Sequence, residues 1–219
     1  GYSFLNDVNG LFVDGRHDRK MRRVYGRLTG ERTPFGDVAY EGKRLITTTA
    51  LSSEFQVLAH AVDSLSETDR RSRDFTLASI QRALREVVAC FPVYRTYVDP
   101  AGATPADAAL LDTAIADARR RNPAMESSIF EFLREILLPD QAHPASSNVA
   151  MRFQQYTAPV QAKGVEDTAF YRYHVLASLN EVGGDPGRFG RTVAEFHAAG
   201  VDRLRHWPGE MLATTTHDT

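Results

Sequence analysis

The chain has 219 residues, of which 42% are apolar and 25% are charged, and its formal net charge is -2. This length can bury the core of one large domain or two small ones, and the nearly neutral charge gives no support for a nucleic-acid partner. The single cysteine, Cys90, excludes an internal disulfide framework and fits a reducing compartment, which predicts a cytoplasmic protein.

Helical periodicity dominates the sequence. Leu51, Phe55 and Leu58 begin an apolar stripe whose spacing places these side chains on one face of a helix. We predict helices around residues 17–28, 36–48, 51–65, 80–91, 105–121, 129–137, 146–162 and 188–199. Strand-like composition is confined to Val93–Val98 and Leu212–Thr216. No apolar run approaches the roughly 20 residues of a membrane-spanning helix, so we expect no membrane partner.

One segment, Gln161–Tyr173, concentrates the groups that a sugar site requires. Its candidate binding residues are Lys163, Glu166, Asp167, Tyr171 and Arg172. Charged groups can hydrogen-bond vicinal hydroxyls, and aromatic faces can cover the apolar C–H surface of a sugar ring. A surface loop and helix start with local salt bridges is the alternative, and composition alone does not exclude it.

Two shorter segments are further candidates. His217 and Asp218 follow the predicted strand Leu212–Thr216, and barrel enzymes place catalytic carboxylates at the C-terminal ends of strands. A His-Asp pair also occurs by chance. Tyr94 and Arg95 lie on opposite faces of the other predicted strand, where the alternative is a connecting strand whose tyrosines cover the core.

The histidines give no indication of a metal site. None of the seven has a second histidine four residues away, and no His-x-x-Glu-His arrangement occurs. We therefore predict no metal and no cofactor. A metal-dependent phosphohydrolase that used His217 and Asp218 would need further His and Asp ligands on the helices.

Taken together, several segments resemble the maltooligosyl trehalose synthase family, which belongs to the α-amylase superfamily of glycoside hydrolases. They occur in the family's order and span nearly the whole chain. The segments are Gly1–Phe12 (GYSFLNDVNGLF), Leu51–His60 (LSSEFQVLAH), Phe91–Val98 (FPVYRTYV), Ala162–Tyr173 (AKGVEDTAFYRY), Ser178–Pro186 (SLNEVGGDP) and Thr216–Thr219 (THDT).

The resemblance implies an internal part of a longer enzyme whose catalytic domain is a (β/α)8 barrel. The expected fold class is mainly α: a helical insertion domain of that barrel enzyme, with short barrel-strand remnants at both ends. The expected boundaries are 1–13 for a barrel strand or loop, 14–211 for the helical insertion domain, and 212–219 for a barrel strand that ends in His-Asp. A first residue other than Met and an end directly after the His-Asp pair fit this expectation.

The resemblance also implies a reaction. Enzymes of this family convert the reducing-end α-1,4 linkage of a maltodextrin into an α,α-1,1 linkage by intramolecular transglucosylation. Asp218, preceded by His217, matches the family's aspartate that binds substrate and stabilises the transition state. The nucleophile and the general acid/base would precede Gly1, so we expect the chain alone to be inactive.

The resemblance further implies a closed pocket that holds the cleaved glucose. We expect this pocket to be lined by His217, Lys163, Glu166, Asp167, Tyr171 and Arg172, with Tyr94 and Arg95 as weaker candidates. The expected partners are a maltooligosaccharide and the remainder of the barrel. The alternative is a stand-alone helical protein-interaction module with an exposed apolar groove.

Overall fold

The computed structural model describes residues 1–99, 101–139 and 144–216. Within these ranges the chain is mainly helical, which confirms the mainly α part of the predicted fold class, and it contains no β-strand. The helices are α1 (Tyr2–Leu11), α2 (Asp18–Thr29), α3 (Phe35–Thr48), α4 (Ser52–Ser66), α5 (Leu77–Cys90), α6 (Pro105–Arg121), α7 (Ser127–Leu137), α8 (Pro144–Gln161) and α9 (Val193–His206). No helix in this part of the chain is long and apolar enough to cross a membrane.

The chain divides into two compact units. The first unit comprises Gly1–Ala39 and Glu166–Thr219, and the second comprises Tyr40–Val165. One boundary lies within α3, and the other lies within a π-helix, Ala162–Ala169, that follows α8. The predicted division at residues 13 and 211, and its assignment to a barrel enzyme, stays a prediction.

The second unit is built around α5, which packs against α4, α6, α7 and α8. Its side chains Ile80, Leu84 and Val87 are fully buried, as their helical spacing predicts. The start of α6 is fixed by a capping box, because the Thr104 hydroxyl and the Asp107 carboxylate each bind the other's backbone N–H. The unit thus forms a helical body with one continuous apolar core.

The first unit joins α1 to α9 through a buried ion cluster. The Asp7 carboxylate lies 3.0 Å from Arg191 and 2.7 Å from Arg203, and it is almost fully buried. Phe4 packs against Phe196, with ring centroids 6.3 Å apart. These contacts bring together segments that are about 190 residues apart in the sequence.

The predicted strand or loop over residues 1–13 is wrong for Tyr2–Leu11, which forms α1. Asn6, Asn9 and Gly10 disfavour a helix in isolation. Here the buried pairing of Asp7 outweighs that local preference. Gly10 is needed because a Cβ atom at that position would lie 2.8 Å from the Cβ atom of Arg191.

The two predicted strands, Val93–Val98 and Leu212–Thr216, are also wrong. In the first segment, the side-chain amide of Gln154 hydrogen-bonds both backbone groups of Val98. Its Oε1 accepts from the N–H of Val98 at 2.8 Å, and its Nε2 donates to the carbonyl of Val98 at 2.9 Å. A side-chain amide therefore takes the place of a neighbouring strand. The second segment is irregular, and its Thr216 hydroxyl donates to Glu181 at 2.9 Å.

The helix predicted at 188–199 is displaced, because α9 begins at Val193. Its N-terminus is set by a second capping box, in which Thr192 and Glu195 bind each other's backbone N–H. Gly190 precedes it with a φ of 86°, a conformation that excludes an α-helix at that residue. The Thr-x-x-Glu spacing is visible in the sequence and predicts the true start.

Candidate functional site

The candidate segment begins inside the π-helix. Lys163 and Asp167 are exposed and Glu166 is half-buried. Single-turn π-helical segments occur frequently at functional sites, and this one is longer. In the second unit, Gly164 of this π-helix packs closely against α3, since a Cβ atom at Gly164 would lie 2.7 Å from the Cα atom of Lys43. The first part of the candidate segment therefore forms a helix, and the alternative of a helix start with local salt bridges stays open.

The segment then turns so that its aromatic residues alternate between inside and outside. Phe170 and Tyr173 are buried and pack on Phe35, at centroid distances of 5.9 and 5.3 Å. Burial raises the pKa of the Tyr173 phenol. Tyr171 and Arg172, between them, are exposed. Their side chains are thus free to meet a ligand.

A loop after this segment holds Glu166 in place. The backbone N–H of Gly183 donates to Glu166 Oε1 at 3.1 Å. Gly183 has a φ of 71°, which only glycine adopts without strain. Asn180 ties the same loop to the segment, because its side-chain amide donates to the carbonyls of Phe170 and Tyr173 at 2.9 and 2.7 Å.

The same loop also holds the residue that precedes the His-Asp pair. Glu181 is only 5% exposed, and its Oε2 accepts the hydroxyl of Thr216 at 2.9 Å. Glu166 and Thr216 are therefore bound to positions two residues apart in one loop of the first unit. His217 and Asp218 lie outside the described residues.

Tyr94 and Arg95 belong to the second unit and are half-buried. Arg95 is engaged locally: its Nε donates to the carbonyl of Thr96 at 3.0 Å, and its guanidinium lies 4.7 Å from the ring centroid of Tyr97. This interaction fits a structural role for Arg95. Among the described residues, no group of three or more His, Cys, Asp or Glu side chains could hold a metal ion.

Sequence reasoning missed Glu181. The signal was present, because Leu179 and Val182 flank Asn180 and Glu181 in a segment that ends in two glycines. A carboxylate between apolar residues is expected to be buried with a hydrogen-bonding partner. The sequence could not identify that partner as Thr216, which is 35 residues away.

Comparison with known proteins supports the resemblance to this family. A synthase structure from Arthrobacter ramosus superimposes on 99% of the chain with a TM-score of 0.80 and 34% sequence identity. The chain is similar to one quarter of a maltooligosyl trehalose synthase. It spans 26% of that structure and 26% of a curated maltooligosyl trehalose synthase from Mycobacterium tuberculosis, which is 28% identical over the whole chain.

A third relative also has a fold similar to that of this chain. A structure from Sulfolobus tokodaii, described as a hypothetical maltooligosyl trehalose synthase, has a TM-score of 0.69 over 99% of the chain at 24% identity. No protein-family model matches the chain. The resemblance predicted from the sequence motifs is confirmed by the two relatives of higher identity.

Proposed function

We propose that this chain is the helical part of an enzyme that converts the reducing-end α-1,4 linkage of maltodextrins into an α,α-1,1 linkage by intramolecular transglucosylation. The observation that carries the proposal is its likeness, over 99% of its length, to a quarter of the Arthrobacter synthase. A retaining reaction needs two carboxyl groups about 5 Å apart. In this proposal the remainder of the enzyme supplies them, and the chain alone has no activity.

The surface of α9 supports a position within a larger protein. Val193, Leu204 and Trp207 are 64%, 72% and 70% exposed, and Val201 is about half exposed. At 100° per residue, Val193, Val201 and Leu204 fall within one sector of the α9 surface, and Trp207 directly follows the helix. An apolar row of this kind indicates a contact surface. We propose that it packs against the remainder of the enzyme, which by the resemblance is a (β/α)8 barrel.

Within the first unit, we propose that Glu166, Asp167, Tyr171 and Arg172 line the pocket for the reducing-end glucose. Transfer requires the cleaved glucose to turn and attack before water does, so the pocket must exclude water. The shared loop supports this proposal, because it holds both Glu166 and Thr216. His217 and Asp218 would then bind substrate, with Asp218 stabilising the transition state.

Lys163, Tyr94 and Arg95 belong to the second unit, and their roles stay predictions from the sequence. Lys163 lies on the same π-helix as Glu166 and Asp167. The local interaction of Arg95 with Tyr97 favours structural support over substrate binding for that side chain.

A chimeric enzyme tests the proposal. The corresponding quarter of the Arthrobacter synthase is replaced by this chain, and conversion of maltopentaose is followed by the loss of reducing ends. We expect the chimera to form a non-reducing trehalose product and the isolated chain to convert nothing. A correctly folded but inactive chimera would favour the stand-alone interaction module, for which the exposed face of α9 is also suited.

The pocket is tested in the active chimera. Glu166→Ala should raise the ratio of hydrolysis to trehalose formation, because water gains access to the reactive intermediate. Glu67→Ala provides the matched control, since Glu67 is exposed in the second unit at the end of α4. A product ratio that is the same in both variants would contradict the proposed role of Glu166.

A further inference from the structure

The first unit contains a cavity that the proposed reaction does not use. It has a volume of about 470 Å³ and lies between α2, the turn that follows α2, and the stretch from Tyr173 to Val175. This volume falls within the range of small-molecule sites, roughly 300–1,000 Å³. Four arginines line it: Arg22, Arg23, Arg27 and Arg32.

Three of these arginines have no carboxylate partner. Arg22 is engaged, since it binds Asp18, the Tyr173 hydroxyl and a backbone carbonyl. Arg23, Arg27 and Arg32 are exposed and make no ion pair within the described part of the chain. Three arginines that line the cavity therefore carry charges that no carboxylate of the described residues pairs with.

One carboxylate, Glu31, also lines the cavity. Its Oε2 accepts a hydrogen bond from the hydroxyl of Thr33 at 3.4 Å, and it forms no ion pair within the described residues. Three unpaired cations less one anion leave a charge of +2 at the cavity wall. The α2 macrodipole opposes this with only about half a negative charge at its C-terminal end, so the arginines dominate.

The local fold brings the arginines together. Arg23 and Arg27 are one turn apart on α2, so they share a face. Gly30 ends the helix with a φ of 79°, and the chain folds back over Gly26. A Cβ atom at Gly26 would lie 3.1 Å from the Cγ atom of Arg32 and 3.1 Å from the carbonyl oxygen of Glu31, so glycine favours this close return. Arg32 is thereby held against the helix that carries the other two.

We propose that this cavity binds a phosphomonoester. Guanidinium groups bind phosphate oxygens in bidentate geometry, and a charge of +2 matches a phosphate that carries about -1.5 to -2 at neutral pH. The half-buried ring of Tyr25, which also lines the cavity, offers an apolar face to the organic part. A neutral sugar would leave the three cations uncompensated.

Calorimetry on the full chain tests this site with four probes: inorganic phosphate, glucose 6-phosphate, AMP and glucose. We expect both phosphomonoesters to bind more tightly than inorganic phosphate, and glucose not to bind. Tighter binding of the sugar phosphate would assign the organic part to a sugar, and tighter binding of AMP would assign it to a nucleoside. Absence of phosphomonoester binding, or equal binding of glucose, would overturn the proposal.

Single arginine changes localise the site. Arg27→Gln and Arg32→Gln should each weaken phosphomonoester binding about tenfold, because each removes a charged hydrogen-bonding group. The matched control is Arg19→Gln, which removes the same charge from an exposed position of α2 outside the cavity. Circular dichroism verifies that each variant is folded. An equal loss of affinity in the control would show general attraction to a basic helix and would overturn the proposal.

Discussion

Lys43 is the most deeply buried cation in the described part of the chain, and its protonation should change the stability of the second unit. Its Nζ donates to the carbonyl of Phe91 at 2.6 Å. Burial lowers the pKa of Lys43 from 10.5 to about 8, because water no longer solvates the ammonium group. The substitution that probes this effect is Lys43→Met, which keeps an unbranched side chain and removes the charge.

The pKa difference sets the size and sign of the effect. Between about pH 8 and pH 10.5 the unfolded chain holds a proton on Lys43 that the folded chain has lost. The free energy of unfolding therefore rises with pH across this window. A difference of about 2.5 pKa units corresponds to about 3 kcal/mol. Below pH 8 both states are protonated, and the full cost of burying the charge is present.

Lys43→Met should lose this pH dependence. At neutral pH we expect the variant to be more stable by about 1–2 kcal/mol, since losing the hydrogen bond to the Phe91 carbonyl costs about 1 kcal/mol. Near pH 10.5 that advantage should disappear. The measurement is urea unfolding of both proteins at several pH values, followed by circular dichroism. The pKa of the neighbouring Cys90 is raised to about 11 by burial, which lowers stability above pH 9 in both proteins, so the difference between them reports mainly on Lys43.

The control is Lys20→Met, which removes an exposed ammonium group from α2. Its stability curve should parallel that of the unmodified chain from about pH 7.5 to 10.5. Parallel curves for the unmodified chain and Lys43→Met would refute the reasoning, because they would show that the buried lysine has an ordinary pKa in the folded protein.

Three further substitutions test the packing. Gly164→Ala should destabilise the chain by about 1–3 kcal/mol, because its Cβ atom would meet the backbone of Lys43. Gly200→Ala, at an open position in α9, should stabilise it by up to about 1 kcal/mol in the same urea titration; equal effects would be inconsistent with the close packing at Gly164. Gln154→Leu should cost about 2–4 kcal/mol, because it leaves the N–H and carbonyl of Val98 without partners, and an unchanged unfolding midpoint would disprove this account.

Periodicity predicted most of the helices because apolar spacing and capping are local properties. The helix over 105–121 was predicted in full, since Thr104, Pro105 and Asp107 fix its start. The Val93–Val98 strand was wrong for a reason outside that segment. Its composition favours a strand, but the backbone of Val98 binds a side chain 56 residues away. A local pattern cannot reveal that partner.

The candidate site shows the same contrast between local patterns, which the sequence reveals, and distant partners, which it does not. The concentration of charged and aromatic groups between Lys163 and Arg172 is visible in the sequence. The fold adds the loop that binds Glu166 through Gly183 and Thr216 through Glu181. These partners are separated by 17 and 35 residues and depend on a glycine at positive φ. They could not be predicted without the tertiary structure.

The two faces of α9 bear on whether the chain acts alone. One face makes its contacts within the first unit, where Arg203 binds the buried Asp7 and Phe196 packs on Phe4. The other carries the exposed apolar row that includes Leu204 and is followed directly by the exposed Trp207. Burying the apolar side chains of that row together with Trp207 would contribute about 5 kcal/mol, which equals the net stability of many whole domains. A surface that can contribute so much on burial is better explained by association with further polypeptide than by permanent exposure to water.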